Sequence, residues 1–215
     1  MAQRSASPLP GTVIIGGATV NQIPMDWRNN TANIIAAIEE AIQNGVKILC
    51  LPELCITGYG CEDMFLSDWL SAKAWEELLK IKPHCTNITV SVGLPVRING
   101  ITYNGACVIS NGKILGITFK QNLARDGVHY EPRWFDAWIP NKIITLERNG
   151  ETIQAGDLIY ETNGIRFGFE ICEDANALPP NEITEQFSKH LERTIRKQPS
   201  DWLWSHNRWK HKRPI

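Results

Sequence analysis

Ile165-Arg-Phe-Gly-Phe-Glu-Ile-Cys-Glu-Asp174 is the stretch of sequence that is most informative about the fold and its chemistry. Its apolar residues predict a buried strand, interrupted by Arg166 and Glu170, that ends on Cys172. A thiol at the exit of a strand can be held rigidly by the sheet and still face a pocket. A single cysteine is more often a small buried hydrophobic residue, so the role of this one depends on other segments.

Two further predicted strands are followed by a charged side chain. Val46–Leu51 is an apolar strand that stops at Pro52, which lacks the donor that a strand ladder needs, and Glu53 follows directly. Ile114–Phe119 is another strand, and Lys120 follows it. Each charged residue alone is usually just solvated. A glutamate, a lysine and a cysteine at three strand ends, in that order, form a much more specific pattern.

These motifs resemble those of the nitrilase, or carbon–nitrogen hydrolase, superfamily. The segments Thr57–Phe65 and Asn122–Phe135 are similar, more narrowly, to the glutaminase domain of glutamine-dependent NAD synthetase. The resemblance covers roughly residues 10–175. It implies a catalytic triad and a set of residues beside the substrate. The triad is Glu53, Lys120 and Cys172, and the substrate-binding residues are Tyr59, Tyr130 and Glu131.

These residue types suit the hydrolysis of a carboxamide such as glutamine. An unperturbed thiol has a pKa near 8.5, so about 3% is thiolate at neutral pH. A close ammonium favours the thiolate, and a carboxylate can accept its proton. Lys120 can stabilise the oxyanion that attack creates, and water activated by Glu53 can hydrolyse the thioester that remains. The reaction needs no histidine, metal or other cofactor. The residues themselves do not select glutamine over asparagine or a nitrile.

The composition of the 215 residues is that of a soluble globular protein, with 43% hydrophobic and 21% charged residues. The polar first ten residues lack the apolar core of a signal peptide, and no apolar run approaches the about 20 residues of a membrane span. The six cysteines have neither C-x-x-C spacing nor a His/Cys metal pattern. We therefore expect a cytoplasmic protein with reduced thiols and without a metal site.

The order of predicted elements indicates an α/β protein. Helices are predicted over about residues 27–44 and 67–79, and short strands then follow, joined at Asn-Gly pairs that are typical of hairpin turns. The predicted strands of this region are Ile88–Leu94, Val96–Ile98, Ile101–Tyr103, Ala106–Ile109 and Ile114–Phe119. The resemblance adds a truncated α-β-β-α sandwich. It divides the chain into a disordered leader (residues 1–10), a partial nitrilase-like domain (11–175) and an unrelated segment (176–215).

The last part of the chain has a different character. Residues 1–181 carry a net charge of −5, whereas residues 182–215 carry +4. Apolar residues recur every four positions from Ile183 to Ile195 and predict a C-terminal helix with one apolar stripe. The basic, tryptophan-rich tail that follows resembles the carboxyl terminus of lipid A lauroyl/myristoyl acyltransferases, without their catalytic His-x-x-x-x-Asp. This second resemblance predicts a chimera.

Several roles remain open for the tail and for the whole chain. Trp202, Trp204 and Trp209 could pack back on the helix, lie at an anionic membrane surface over residues 202–213, or stack on nucleic acid, which is the least favoured. The main prediction is an ammonia-releasing glutamine amidohydrolase, with a separate synthetase domain or a homo-oligomer as partner. The alternative is a catalytically inactive chimeric fragment that acts only as an oligomerising or membrane-surface binding module.

Overall fold

The structure is a computed structural model that describes residues 12–125, 130–162 and 164–177. Its strands are β1 (Ile15–Gly17), β2 (Ile48–Cys50), β3 (Thr89–Ile98), β4 (Ile101–Ser110), β5 (Lys113–Phe119), β6 (Ile143–Arg148), β7 (Glu151–Gly156), β8 (Tyr160–Thr162) and β9 (Ile165–Phe167). Its helices are α1 (Trp27–Gln43), α2 (Asp68–Ile81) and the single turn α3 (Asp174–Ala177). The prediction of an α/β protein is confirmed.

One mixed sheet of seven strands organises the described part of the chain, in the order β1-β2-β3-β4-β5-β7-β6. The first three strands are parallel, β3 to β5 form an antiparallel meander, and β5 pairs in parallel with β7. The hairpin of β8 and β9 forms a second, two-stranded sheet. The strands β2 and β5 run in the same direction. The residues that follow them therefore lie at the same edge of the sheet and can meet.

Asn-Gly pairs make three tight turns, two in the meander and one between β6 and β7, as predicted. Asn99, Asn111 and Asn149 have φ angles of 50°, 48° and 52°, and the glycine after each also has a positive φ. A two-residue hairpin loop with positive φ at both positions matches the right-handed twist of the strands that it joins. Asparagine and glycine tolerate this conformation best, so these turns fix the register of β3–β4, β4–β5 and β6–β7.

Two predicted strand breaks are wrong. Pro95 does not divide β3, which runs unbroken for 10 residues. Pairing of β3 with β2 ends opposite Ser91, so Pro95 has a partner strand, β4, on one side only. On the side of β2 there is no hydrogen bond for the missing N–H of Pro95 to interrupt. Asn104 and Gly105 likewise lie inside β4 rather than between two strands. Both residues pair with β3, and Gly105 also pairs with Phe119 of β5.

The segment from Ile165 to Asp174 also differs from its prediction. The strand β9 ends at Phe167, five residues before Cys172, because its partner β8 offers only three residues to pair with. The segment is not buried throughout: exposed residues alternate with half-buried ones up to the buried Ile171. Cys172 then lies in a turn with a φ of 52°. The thiol is therefore presented by a constrained turn rather than by a strand end.

The main core lies where α1 and α2 cover one face of the sheet. Ile34 and Ile38 of α1 and Leu78 of α2 are fully buried against strand residues such as Val90 and Ile109. Burying each side chain of this size contributes about 1.5–3 kcal/mol. Asp26 caps α1 by accepting a hydrogen bond from the Asn29 N–H. This core holds β2 to β5, the strands that carry the site.

Several sequence-based predictions concern residues outside those that the structure describes. They are the disordered leader, the C-terminal helix with its stripe from Ile183 to Ile195, and the membrane-binding tail over residues 202–213. Each stays a prediction. Among the described residues, no helix is both long and apolar enough to cross a membrane.

Candidate active site

Glu53 lies in a tight turn that packs directly on the backbone of β3. A Cβ atom added at Gly93 would lie 2.4 Å from the Leu54 nitrogen and 2.5 Å from the Pro52 oxygen. The Ile56 N–H also donates to the Gly93 carbonyl at 3.2 Å. Leu54 has a positive φ of 51°, which is uncommon for a residue with a branched side chain. Glycine at position 93 therefore allows the turn to seat Glu53 against the sheet.

Lys120 follows the last residue of β5 and is 1% exposed. Its backbone N–H donates to the Asn104 carbonyl at 2.9 Å, and its carbonyl accepts from the Trp138 N–H at 2.9 Å. Its Nζ atom donates to Glu53 Oε1 at 2.7 Å and lies 2.9 Å and 2.8 Å from the two carboxylate oxygens of Glu131. One buried ammonium thus bridges two carboxylates.

Glu131 begins a short 3-10 turn and is completely buried. Besides Lys120, it accepts hydrogen bonds from the Tyr59 hydroxyl at 3.0 Å and from the Ala124 N–H at 2.7 Å. Two further residues anchor the turn from outside. The Arg133 guanidinium makes two 2.6 Å hydrogen bonds to the Asp63 carboxylate, and they hold the pKa of Asp63 down at about 2. Glu131 is therefore a fixed part of the cluster rather than a mobile surface carboxylate.

Asp174 joins the turn that carries Cys172 to the segment after β5. Its Oδ1 atom accepts hydrogen bonds from the backbone N–H groups of Gln121 at 2.9 Å and Asn122 at 2.7 Å, and its Oδ2 atom accepts from the Ile171 N–H at 3.0 Å. These bonds flank Cys172 on one side and Lys120 on the other. A carboxylate that accepts several backbone N–H bonds is a strong local tether. Asp174 therefore fixes the thiol turn relative to the lysine.

The electrostatics of the cluster keep its groups in defined protonation states. Burial alone would lower the pKa of Lys120, but the charge of Glu53 and the bonds to Glu131 outweigh it and raise the pKa, so the side chain stays an ammonium. Burial raises the pKa of Glu53 more than its charged partner lowers it. Burial and the charge of Glu53 also raise the pKa of the Cys172 thiol, although Lys120 opposes them.

Lys120 thus acts in the predicted direction, since it favours the thiolate, but burial and the charge of Glu53 outweigh it. The Lys120 ammonium is paired with both Glu53 and Glu131. A thiol whose pKa is raised holds its proton more firmly, so attack by such a thiol would need a base. The same burial raises the pKa of Glu53, which makes that carboxylate a better proton acceptor.

Cys172 is exposed to two cavities, and Glu53 lines both of them. The larger cavity, of about 490 Å³, is lined also by Tyr59, Arg125 and Glu173. The smaller one, of about 250 Å³, lies against the strand residues Ser91, Gly93, Gly105 and Ala106. The larger cavity is of a size that holds small molecules, and it presents a guanidinium and a carboxylate together with the thiol.

The structure brings together most of the residues that the sequence predicted for the site. Glu53, Lys120 and Glu131 are in direct contact, and Tyr59 contacts Glu131. Cys172 and Glu53 face the same cavities. Tyr130 is different, because its side chain is 53% exposed. Neither Tyr130 nor the completely buried Glu131 lines the two cavities.

Four residues of the site were not predicted to act there. Asn104 donates a hydrogen bond to Glu53, and Asp174 tethers the turn that carries Cys172. Arg125 and Glu173 line the larger cavity. The sequence offers one signal for these residues, the position of Asp174 two residues after the cysteine. Among the described residues, no group of three or more histidine, cysteine, aspartate or glutamate side chains could hold a metal ion.

Comparisons with known proteins agree with this geometry. The pattern that defines the carbon-nitrogen hydrolase family matches residues 16–177. A glutamine-dependent NAD(+) synthetase of Drosophila melanogaster is 32% identical over 194 residues, which are 85% of this chain and 24% of that protein. A crystal structure of a glutamine-dependent NAD(+) synthetase from Cytophaga hutchinsonii superposes with a TM-score of 0.75 and 56% identity, and it covers 76% of this chain and 28% of that one.

A second solved structure, of a glutamine-dependent NAD+ synthetase from Acinetobacter baumannii, has a TM-score of 0.61 at 25% identity and covers 81% of this chain and 30% of that one. The chain spans about a quarter of the length of these relatives. The predicted nitrilase-like fold is confirmed. With a family match over most of its length, and with the glutaminase domain of NAD synthetases as the matching region, this chain belongs to the carbon-nitrogen hydrolase family, whose members are hydrolases.

Proposed function

We propose that this chain is a glutamine amidohydrolase, which releases ammonia through Glu53, Lys120 and Cys172. The observation that carries the proposal is the buried lysine that bridges two carboxylates beside a cavity shared by Glu53 and Cys172. A cysteine nucleophile needs a base within reach and a cation for the developing oxyanion. The cluster contains both groups, and the names of its relatives support glutamine as the source of nitrogen.

In the first half of the proposed reaction, Cys172 Sγ attacks the carboxamide carbon as Glu53 accepts the thiol proton. The C=O bond becomes a C–O⁻ bond, and the Lys120 ammonium stabilises this charge. As the tetrahedral intermediate collapses, the C–N bond breaks. Glu53 returns its proton to the departing nitrogen, which leaves as ammonia. A thioester to Cys172 remains.

In the second half, Glu53 takes a proton from a water molecule that attacks the thioester carbon. The C–S bond breaks, the sulfur regains a proton from Glu53, and the product is released as a carboxylic acid, which then loses its proton to the solvent. Glu53 acts as base and acid in turn in both halves, so a raised pKa suits the role better than that of an ordinary glutamate.

The larger cavity supports an amino acid substrate over a simple amide. Glutamine carries an α-ammonium and an α-carboxylate beside its side-chain amide. Arg125 and Glu173 line the cavity with Cys172, so charges of both signs are available to such a zwitterion. A nitrile or an aliphatic amide has neither an α-ammonium nor an α-carboxylate, so it could not use these two charges for binding.

The relatives that share this region are glutamine-dependent NAD(+) synthetases, and each is about four times as long as the matched segment. We therefore propose that the ammonia serves a separate amide-forming synthetase domain. A homo-oligomer, a cytoplasmic location and an anionic membrane contact through residues 202–213 stay predictions.

Ammonia release from glutamine by the purified chain tests the proposal. Cys172→Ala should reduce release to the background rate, because it removes the proposed nucleophile. Cys50→Ala is the comparison, since Cys50 is the other exposed cysteine and lines the smaller cavity but not the larger one. It should leave release unchanged. Release that survives Cys172→Ala would refute the assignment, and asparagine and propionamide measured in parallel would show whether the cavity selects glutamine.

A further inference from the structure

Asn104 connects the two charged residues of the triad to each other. It lies in the middle of β4 and is 1% exposed. Its side-chain Nδ2 donates to Glu53 Oε1 at 2.6 Å, and its backbone carbonyl accepts the Lys120 N–H at 2.9 Å. One strand residue therefore sets the positions of both the proposed base and the proposed oxyanion cation.

The hydrogen bonds to Glu53 all reach the same oxygen. Asn104 and Lys120 donate to Oε1 of Glu53, at 2.6 Å and 2.7 Å. No residue in the described part of the chain donates a hydrogen bond to Oε2. Two donors on one oxygen fix the rotation of a carboxylate and leave the other oxygen to face away from them. Since Glu53 and Cys172 line the same two cavities, Oε2 is the oxygen available to a thiol proton.

The other end of the Asn104 amide argues against a purely stabilising role. Its Oδ1 atom is buried without a hydrogen-bond partner among the described residues, and an unsatisfied buried acceptor is destabilising. The amide cannot be reversed to relieve this, because Oδ1 would then face the Glu53 carboxylate. An apolar residue at this position would avoid the cost but could not donate to Glu53.

We propose that Asn104 is a positioning residue, which turns Glu53 so that Oε2 faces Cys172 and keeps this carboxylate in its proton-accepting form. The inference rests on the proposed amidohydrolase function, but it concerns the base alone. A donor to a carboxylate stabilises the ionised state. Loss of the donor should therefore raise the pKa of Glu53, and a carboxylate in its place should raise it further through like charge.

The test compares Asn104→Leu and Asn104→Asp with Thr102→Val. Thr102 lies two residues earlier in β4, is equally buried, and donates to the Phe65 carbonyl rather than to the site. The first readout is kcat/KM for ammonia release as a function of pH. The second is the rate of Cys172 alkylation by iodoacetamide as a function of pH, with the modified residue identified by mass spectrometry. This second readout does not depend on hydrolysis.

We expect Asn104→Leu to lower kcat/KM at pH 7 by about ten- to a hundredfold and to move its acid limb upward by about one pH unit. The lower inflection of the alkylation profile should move with it. Asn104→Asp, which keeps the shape of the side chain, should move both further. Thr102→Val should lose thermal stability but keep both profiles.

The proposal is overturned if folded Asn104 variants keep the wild-type profiles and show only the general loss of stability of Thr102→Val. If Asn104→Leu does not fold, Asn104→Asp decides by the same criterion. If the unmodified chain releases no ammonia, the proposed function fails. The alkylation profiles still test the role of Asn104, because a shift in them supports it and their constancy refutes it.

Discussion

Replacing Gly93 with alanine should disable the site without changing any of its charged side chains. The added Cβ would lie 2.4 Å from the Leu54 nitrogen and 2.5 Å from the Pro52 oxygen. Ordinary van der Waals contact begins near 3.4 Å, so the turn that carries Glu53 must move away by about 1 Å. A misplacement of about 1 Å at a catalytic group can reduce the rate by about 10²-fold.

The assay is ammonia release from glutamine, with thermal unfolding measured on the same samples. Gly93→Ala should lose about two orders of magnitude in kcat and about 1–3 kcal/mol of stability from overpacking. The matched control is Gly17→Ala, a glycine of the same sheet where an added Cβ meets nothing within 4 Å. If Gly93→Ala stays as active as Gly17→Ala, the backbone of β3 does not set the position of Glu53.

Two further predictions concern charge. Lys120→Met removes the buried cation and leaves Glu53 and Glu131 facing each other, so it should abolish ammonia release and cost about 3–5 kcal/mol at pH 7 by chemical denaturation. The exposed Lys113→Met, at the start of the same strand, should cost less than 1 kcal/mol, and an equal effect of the two would contradict the ion-pair reasoning. The raised pKa of Glu53 places the acid limb of kcat/KM above the usual value of about 4.3, because protonation of the base as the pH falls removes activity; a limb below pH 4 would exclude Glu53 as the base.

The sequence predicted local features well where one short-range rule determines the outcome. The helices α1 and α2 lie close to their predicted ranges, with Ile34 and Ile38 on the buried face of α1 and Leu78 on that of α2. The hairpin turns lie at their Asn-Gly pairs, as predicted. Glu53 and Lys120 could be identified because each follows an apolar strand. The sequence did not predict that β2 and β8 have only three residues each. The length of a strand depends on how many residues the neighbouring strand offers for pairing.

The supporting residues of the site were harder to predict for a physical reason. Asn104 looked like a gap between two strands, because a buried polar residue has no periodic signal of its own. Its role depends on Glu53, which is 51 residues away in the chain. The sequence could indicate that Lys120 favours the thiolate of Cys172, but it could not show that burial and the charge of Glu53 outweigh this effect on the pKa of the thiol.

The tether made by Asp174 has a consequence for the order in which the chain folds. Its partners Gln121 and Asn122 are 53 and 52 residues away in sequence, and Glu53 lies 67 residues from Lys120. Contacts of such range form only after the intervening chain has ordered, because loop closure must precede them. We therefore expect Cys172, Glu53 and Lys120 to come together late, so that a partly folded chain holds the thiol without the neighbouring carboxylate that could accept its proton. On this expectation, the proposed nucleophile would become active only when the sheet that restrains it is complete.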